Sequence, residues 1–351
     1  MWNKFSIILF IVFLIADSAE GQTSSQEAYG FLSLPSSARE TALGGGAIAI
    51  VDEDLALAFS NPAALNPLMH NRINFNYNFH FAGISNGFFS YARTIDKWNT
   101  TVHGGVKFID YGSFIGADEF GNIGESFTAG ELSMFIGGSY VLNKKLRLGS
   151  NIKYVQSDLG GYNSYGIAGD LGMTYYDEDR RLVVTALIKN AGSEISSYRN
   201  DLSLSPIDLQ LGLSKKLKHL PFRIGVVMHH LHRWNIRFDS VLDQEVDILG
   251  ETIEAGAFSK FADNFFRHFI FNGEFLFGSN EVVRLRLGYN HLRRKELSVS
   301  GLRSLAGFSL GLGIKVSSFR LDYGVGYHHL AGGVNHISIS TDLDSFFKKK
   351  I

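Results

Sequence analysis

The sequence predicts an all-β protein: a transmembrane outer-membrane β-barrel of about 14 antiparallel strands with an N-terminal plug segment. Three observations carry this prediction, namely alternating segments, an export signal and an asymmetric pattern of connections. Residues 73–81 read INFNYNFHF, with apolar side chains at every second position. Successive side chains of a strand point to opposite faces, so this segment has one apolar face and one polar face.

The same alternation returns at residues 283–290, 308–316 and 319–327. A soluble β-sandwich would also alternate, but its charged side chains would lie on the exposed outer surface. In a membrane barrel the polar side chains face the lumen, because a charge that faces lipid costs about 2–4 kcal/mol at the midplane. We expect the lumen charges to form ion pairs that hold the barrel's shape; a transport site is the less favoured interpretation. These predicted lumen charges are Arg284, Arg286, Arg320 and Asp322.

Residues 1–21 have the composition of a cleaved signal peptide. Lys4 precedes an apolar run over residues 5–15, and Ala19-Glu20-Gly21 supplies small residues for cleavage before Gln22. The run is shorter than the roughly 20 apolar residues that a membrane-spanning helix needs, so an uncleaved anchor is the weaker alternative. The sequence has no cysteine, which excludes disulfides. We therefore expect export to the outer membrane of a Gram-negative bacterium.

The barrel is predicted over residues 72–343, with a tail at 344–351. Its fourteen candidate strands lie near 72–81, 87–94, 100–111, 128–142, 146–158, 165–177, 182–190, 206–216, 222–230, 269–277, 281–290, 304–316, 319–327 and 336–342. Connections after even-numbered strands are tight, whereas most connections after odd-numbered strands are long. Short periplasmic turns that alternate with longer extracellular loops are typical of outer-membrane barrels.

Composition and motifs exclude several classes of function. The formal net charge of −1 provides no electrostatic attraction to nucleic acid. The sequence contains neither a Gly-x-Ser-x-Gly nor a His-Glu-x-x-His motif, and no carboxylates that can be paired across a cleft. We therefore predict a protein that is not an enzyme and needs no cofactor.

Histidines concentrate near strand ends that the predicted topology places at the outer rim. The preferred interpretation is contact with the membrane interface, including polar contacts to anionic surface lipid. A metal site is the alternative, because imidazoles are common metal ligands. The histidines concerned are His229, His230, His232, His268, His291, His328, His329 and His336.

Residues 22–71 precede the first strand and form the predicted periplasmic or plug segment. Residues 36–46 are compatible with a short helix that ends at a glycine cluster. The run Asp52-Glu53-Asp54 does not have the spacing of an EF-hand loop, so we expect a solvated acidic turn rather than a calcium site.

The longest connection spans residues 231–268 and should project from the outer side. Its phenylalanines recur at spacings of three and four, as on one stripe of a short helix. An exposed apolar stripe often marks an interaction site, whereas a lid that folds onto the barrel mouth is the alternative. The candidate docking residues are Trp234, Phe258, Phe261, Phe265 and Phe266.

Two sets of segments resemble known families. Ser37-Ala38-Arg39 through Leu43-Gly44-Gly45, followed by Phe59-Ser60-Asn61-Pro62-Ala63-Ala64-Leu65, resembles the N-terminal hatch of FadL-like outer-membrane barrels. Further segments resemble the PorQ family of the type IX secretion system more specifically. They are 207–217, 221–223, 229–231, 288–294, 303–308 and 336–343. The resemblance extends from about Gln26 to Phe347.

The resemblance implies a fourteen-stranded barrel without catalytic residues in a bacterium of the Bacteroidetes group. It also implies membership of an attachment complex, in which secreted proteins are processed and tethered to surface lipopolysaccharide. In that complex the resemblance implies that this barrel anchors a surface protein of the PorZ type, beside the sortase PorU and the barrel PorV. Membrane lipid and lipopolysaccharide are further expected partners. A FadL-like channel for hydrophobic solutes is the alternative function.

Overall fold

The computed structural model describes residues 27–117, 120–198, 202–237, 256–278, 281–297, 304–329 and 332–347. The predicted signal peptide lies outside these residues, as does the end of the predicted tail. Within the described ranges, no helix is long and apolar enough to cross a bilayer.

Over the described ranges, fourteen antiparallel strands form one closed barrel in which β1 pairs with both β2 and β14. This confirms the predicted all-β antiparallel barrel. The strands are β1 (Arg72–Phe79), β2 (Ser85–Ile95), β3 (Thr100–Ala117), β4 (Ile123–Val141), β5 (Leu146–Leu159), β6 (Tyr162–Asp177), β7 (Leu182–Ser196), β8 (Asp208–Lys216), β9 (Phe222–Met228), β10 (Phe269–Phe277), β11 (Val283–Asn290), β12 (Phe308–Val316), β13 (Phe319–His329) and β14 (Gly332–Asp342).

The barrel has two unlike ends. At the proximal end, where β1 begins and β14 ends, the strands are joined by short turns such as residues 142–145 and 317–318. The distal end carries the longer connections, including α2 (Ala257–Arg267) and α3 (His291–Glu296). A further helical turn, α4 (Asp344–Phe347), follows β14.

Several strands extend further toward the distal end than the sequence predicted. Residues 112–127 were expected to be a loop, but β3 and β4 continue to pair through most of this region. The pairing register shifts between Asp110 and Gly112, and Gly112 has a φ of 83°. Such a bulge inserts an extra residue and breaks the period of two, so alternation alone cannot follow the strand past it.

Apolar side chains face outward and polar ones face inward along the strands. Phe75, Leu285 and Leu310 are 50%, 43% and 43% exposed, whereas Arg284 and Arg286 are each 1% exposed. Because a slip of one residue would exchange the two faces, this pattern fixes the register of the wall.

Residues 27–71 pack against the inward-facing side of the wall. They contain α1 (Ala38–Ala42) and several 3₁₀ turns, and nearly all of their side chains are buried. The Ala38 amide donates to Ser338 Oγ of β14 at 2.8 Å. Inward glycines of the wall make room for this segment, because a Cβ at Gly324 would lie 2.1 Å from the Ala38 carbonyl oxygen.

Candidate functional site

A buried arginine of α1 joins the N-terminal segment to the barrel wall. The helix begins at Ser37, whose side chain accepts the Glu40 amide as an N-cap. Two residues later Arg39 donates two hydrogen bonds of 2.8 Å to the Glu274 carboxylate of β10. The same guanidinium donates to Asp52 at 2.8 and 3.0 Å and to Asp54 at 3.1 Å. Arg39 therefore connects two parts of the segment with one inward carboxylate of the wall.

The predicted lumen charges surround this arginine. Arg286 donates to Glu274 at 2.9 Å and to Asp322 at 2.6 Å. Arg284 and Arg320 both donate to Glu53, at 3.0 and 2.8 Å. We call the whole set the arginine–carboxylate network. It consists of Arg39, Arg223, Arg284, Arg286 and Arg320 with Asp52, Glu53, Asp54, Glu274 and Asp322.

The prediction of a solvated acidic turn at Asp52-Glu53-Asp54 is wrong. Asp52 and Asp54 are 9% and 7% exposed, and all three carboxylates pair with arginines. The turn is buried because it lies against the barrel wall, where Arg39 of its own segment and arginines from strands more than 170 residues away along the chain pair with it. One signal could have indicated this: the wall supplies four arginines to the network, Arg223, Arg284, Arg286 and Arg320, but only two carboxylates, Glu274 and Asp322.

The two aspartates of this turn respond differently to their surroundings. Burial favours the neutral form of Asp52, but Arg39, Arg284 and Arg223 outweigh burial and hold its pKa well below the usual value. At Asp54 burial is the largest influence and raises the pKa, although Arg39 opposes it. The folded structure therefore stabilises the charged form of Asp52, whereas it favours the neutral form of Asp54.

A second buried set of contacts packs the segment against β2 and β4. Phe59 packs edge-on against Phe88 and Phe135 of the wall, with ring centroids 5.3 and 4.9 Å apart. The ammonium of Lys153 lies 4.4 Å from the Phe59 ring centroid, and that of Lys107 lies 4.9 Å from it. These cations face the π-electrons of a ring that belongs to the segment.

At the distal end, α2 is oriented with its apolar side outward. Asn264 and Arg267 are buried, whereas Phe258, Phe261 and Phe266 are 83%, 55% and 48% exposed. Asn264 donates to the Trp234 carbonyl oxygen at 2.7 Å and accepts the Ile236 amide at 3.1 Å. The polar side of α2 therefore attaches the helix to the chain beneath it.

The predicted docking residues lie together on this outward side. Trp234 is 56% exposed, and its ring centroid is 5.9 Å from that of Phe261. Phe265 is half-buried and packs against Phe269 at 4.9 Å. A lid packed onto the barrel mouth would bury these rings, whereas Phe258 and Phe261 are mostly exposed. We call Trp234, Phe258, Phe261, Phe265 and Phe266 the distal aromatic surface.

Ion pairs fix α2 to its neighbour α3. Asp263 accepts from Arg267 of the same helix at 2.9 Å and lies 3.2 Å from the Lys295 ammonium of α3. The distal aromatic surface is thus displayed on a supported helix rather than on an isolated loop.

Comparison with known proteins establishes the fold. No protein-family model matches the sequence, and no curated protein matches it. Among solved structures, the TodX monoaromatic hydrocarbon channel deltaS2 mutant aligns with a TM-score of 0.50 and 17% identity, over 88% of this chain and 97% of TodX. A Pseudomonas aeruginosa FadL homologue aligns with a TM-score of 0.48 and 11% identity, over 88% of this chain and 98% of the homologue. The likeness to TodX shows that the fold is that of an outer-membrane barrel.

The network predicts unequal effects of two otherwise identical substitutions. Asp52→Asn removes a carboxylate whose pKa is lowered in the folded protein, so the substitution should clearly lower the midpoint temperature of thermal unfolding. Asp54→Asn should lower it much less, because burial already favours the neutral side chain and an amide oxygen can still accept the Ala56 amide. Equal effects in a heat-dependent gel-shift assay of the detergent-purified barrel would contradict this account.

The pH dependence has a definite sign. Asp52 has a lower pKa in the folded than in the unfolded chain, so its contribution to stability is complete above its ordinary pKa of 3.8 and is lost as the pH falls below it. The unfolding midpoints of the Asp52→Asn variant and of the wild type should therefore converge in the most acidic samples, where the wild-type Asp52 is protonated as well.

Proposed function

We propose that this chain is a non-enzymatic outer-membrane barrel that anchors a protein partner at the cell surface through its distal end. The observation that carries the proposal is the orientation of α2, which buries polar residues and exposes aromatic ones. Clustered exposed aromatic side chains are typical of the centres of protein interfaces. In this proposal the short-turn proximal end faces the periplasm.

The occupied lumen is consistent with an anchoring role. Arg39 is 1% exposed and is paired on both sides, so moving the segment away would separate buried charges. Removing one partner from a buried ion pair costs about 3–5 kcal/mol, and displacing the segment would break several such pairs together. A wall braced in this way is a rigid support for a surface complex.

The identity of the partner rests on sequence resemblance. The segments that resemble the PorQ family support a place in the type IX protein secretion and attachment machinery. On this basis we propose a PorZ-like surface protein as the main partner, with PorU and PorV in the same complex. The surrounding ligands would be membrane lipid and lipopolysaccharide.

A FadL-like channel for hydrophobic solutes is the second candidate function. The likeness to TodX supports it more directly than it supports a role in secretion, because TodX is named as a hydrocarbon channel. In such a channel the N-terminal segment would have to move. An apolar groove of about 470 Å³ lies between Leu285, Leu287, Leu310 and Leu312, but these side chains belong to the outward face of the wall.

Substitution of the distal aromatic surface tests the anchoring proposal. The double substitution Phe258→Ser and Phe261→Ser should reduce co-purification of the surface partner from native outer membranes by at least about tenfold, because central aromatic residues contribute about 2 kcal/mol or more each. The matched control is Phe114→Ser with Phe127→Ser, two stacked and exposed phenylalanines near the distal tips of β3 and β4. This control should leave co-purification unchanged.

Two outcomes would contradict the anchoring proposal. One is undiminished co-purification by the α2 variant when it still inserts into the membrane. The other is an equal loss in both variants, which would indicate a general change of the distal end or of its contact with lipid.

Conductance in planar bilayers separates the two candidate functions. The wild-type barrel should conduct almost no ions if the segment stays in place, and deletion of residues 27–70 should produce a large, stable conductance. Uptake of a radiolabelled aromatic hydrocarbon into vesicles should be the same with and without wild-type protein. Hydrocarbon uptake through the wild-type barrel would favour the channel instead.

A further inference from the structure

Two adjacent histidines and an aspartate converge at the distal ends of β8 and β9. His229 and His230 follow the last residue of β9, and Asp208 is the first residue of β8. One ligand atom from each of the three residues lies within 4.8 Å of the other two. The Nδ1 atoms of His229 and His230 face each other directly.

The backbone brings the two imidazoles together. Neighbouring residues of a strand place their side chains on opposite faces, so adjacent histidines would normally diverge. His230 has a φ of 56°, in the left-handed region that residues with side chains seldom adopt. This local turn directs its ring back toward His229.

Hydrogen bonds hold the cluster in position. Asp208 Oδ1 accepts the His230 amide at 2.6 Å, and Asp208 Oδ2 accepts from Gln210 Nε2 at 2.6 Å. The His229 amide donates to the His268 carbonyl oxygen at 3.0 Å. Outer contacts of this kind orient the ligands of metal sites in proteins.

A third imidazole adjoins the cluster. The ring centroid of His232 lies 6.2 Å from that of His230. Its Nδ1 atom is buried and has no hydrogen-bond partner among the residues that the structure describes. This nitrogen is available either as a further ligand or as a partner for a metal-bound water.

We propose that Asp208, His229 and His230 form a binding site for a divalent transition metal, with Zn²⁺ as the ion of best fit. Two imidazole nitrogens and one carboxylate make a donor set that suits zinc, and they leave a fourth position open. Hard cations such as Mg²⁺ and Ca²⁺ prefer sites made only of oxygens, so they should not compete. The site would join β8 to the start of the connection that carries α2, independently of what the distal aromatic surface binds.

Direct metal analysis tests this site. The full chain is purified in detergent with an affinity tag that lacks histidine, stripped with a chelator and dialysed against micromolar Zn²⁺. Elemental analysis should then find about one zinc ion per chain, and an excess of Mg²⁺ or Ca²⁺ should not displace it. Heat-dependent gel migration verifies that each sample is a folded barrel.

Three variants give the test its specificity. His230→Gln and Asp208→Asn should each weaken zinc binding by at least about tenfold. Asp208→Asn keeps an oxygen for the His230 amide, so it separates loss of metal from loss of fold. The control His219→Gln changes an exposed histidine at the proximal end and should bind zinc like wild type.

The proposal is overturned if the wild-type chain holds no zinc above the buffer blank. It is equally overturned if folded His230→Gln and Asp208→Asn retain full binding, or if His219→Gln loses as much zinc as they do.

Discussion

The interior of this barrel depends on the contacts of one guanidinium. Arg39 binds Glu274 of the wall and Asp52 of its own segment. It therefore joins the N-terminal segment to the wall through carboxylates of both. Glu274 also accepts from Arg286 and Arg223, which extends the same contacts around the wall. Charges buried this deeply are stable only when all partners are present. The N-terminal segment and the barrel wall therefore neutralise each other's buried charges.

The sequence determines the wall much better than it determines what lies inside. Alternation has a period of two, and each strand shows it locally, so the number of strands and the inward position of Arg284 could be read directly. The bulge at Gly112 interrupts that period, and the extension of β3 and β4 was missed. The burial of Asp52 could not be foreseen, because Arg39 alone does not predict it, and its other charge partners, Arg223 and Arg284, are distant in sequence and reach it only in the closed barrel.

At the distal end, too, the sequence predicted the local structure but not its contacts. The spacing of Phe258, Phe261 and Phe265 was enough to predict a helix, and α2 forms there. Spacing does not say which side of a helix faces its support, however, and here buried Asn264 makes the attachment while the phenylalanines face outward. Likewise, counting histidines could not reveal that His229 and His230 meet at Asp208, because a left-handed turn at His230 brings them together.

The most direct test of this account is a covalent link between the segment and the wall. A Cβ at Gly172 of β6 would lie 3.2 Å from the Cβ of Ala63 and 2.8 Å from Asn61 Oδ1, so a shift of a few tenths of an ångström brings the pair into the roughly 3.5–4.5 Å range of a disulfide. The sequence contains no other cysteine. Oxidation of the folded Ala63→Cys, Gly172→Cys double variant should link nearly all chains, which mass spectrometry of peptides would detect. A pair at Ala63 and inward-facing Ser309 of β12 provides the control and should remain unlinked. Failure of the first pair to link in a folded barrel would contradict the placement of the N-terminal segment in the lumen.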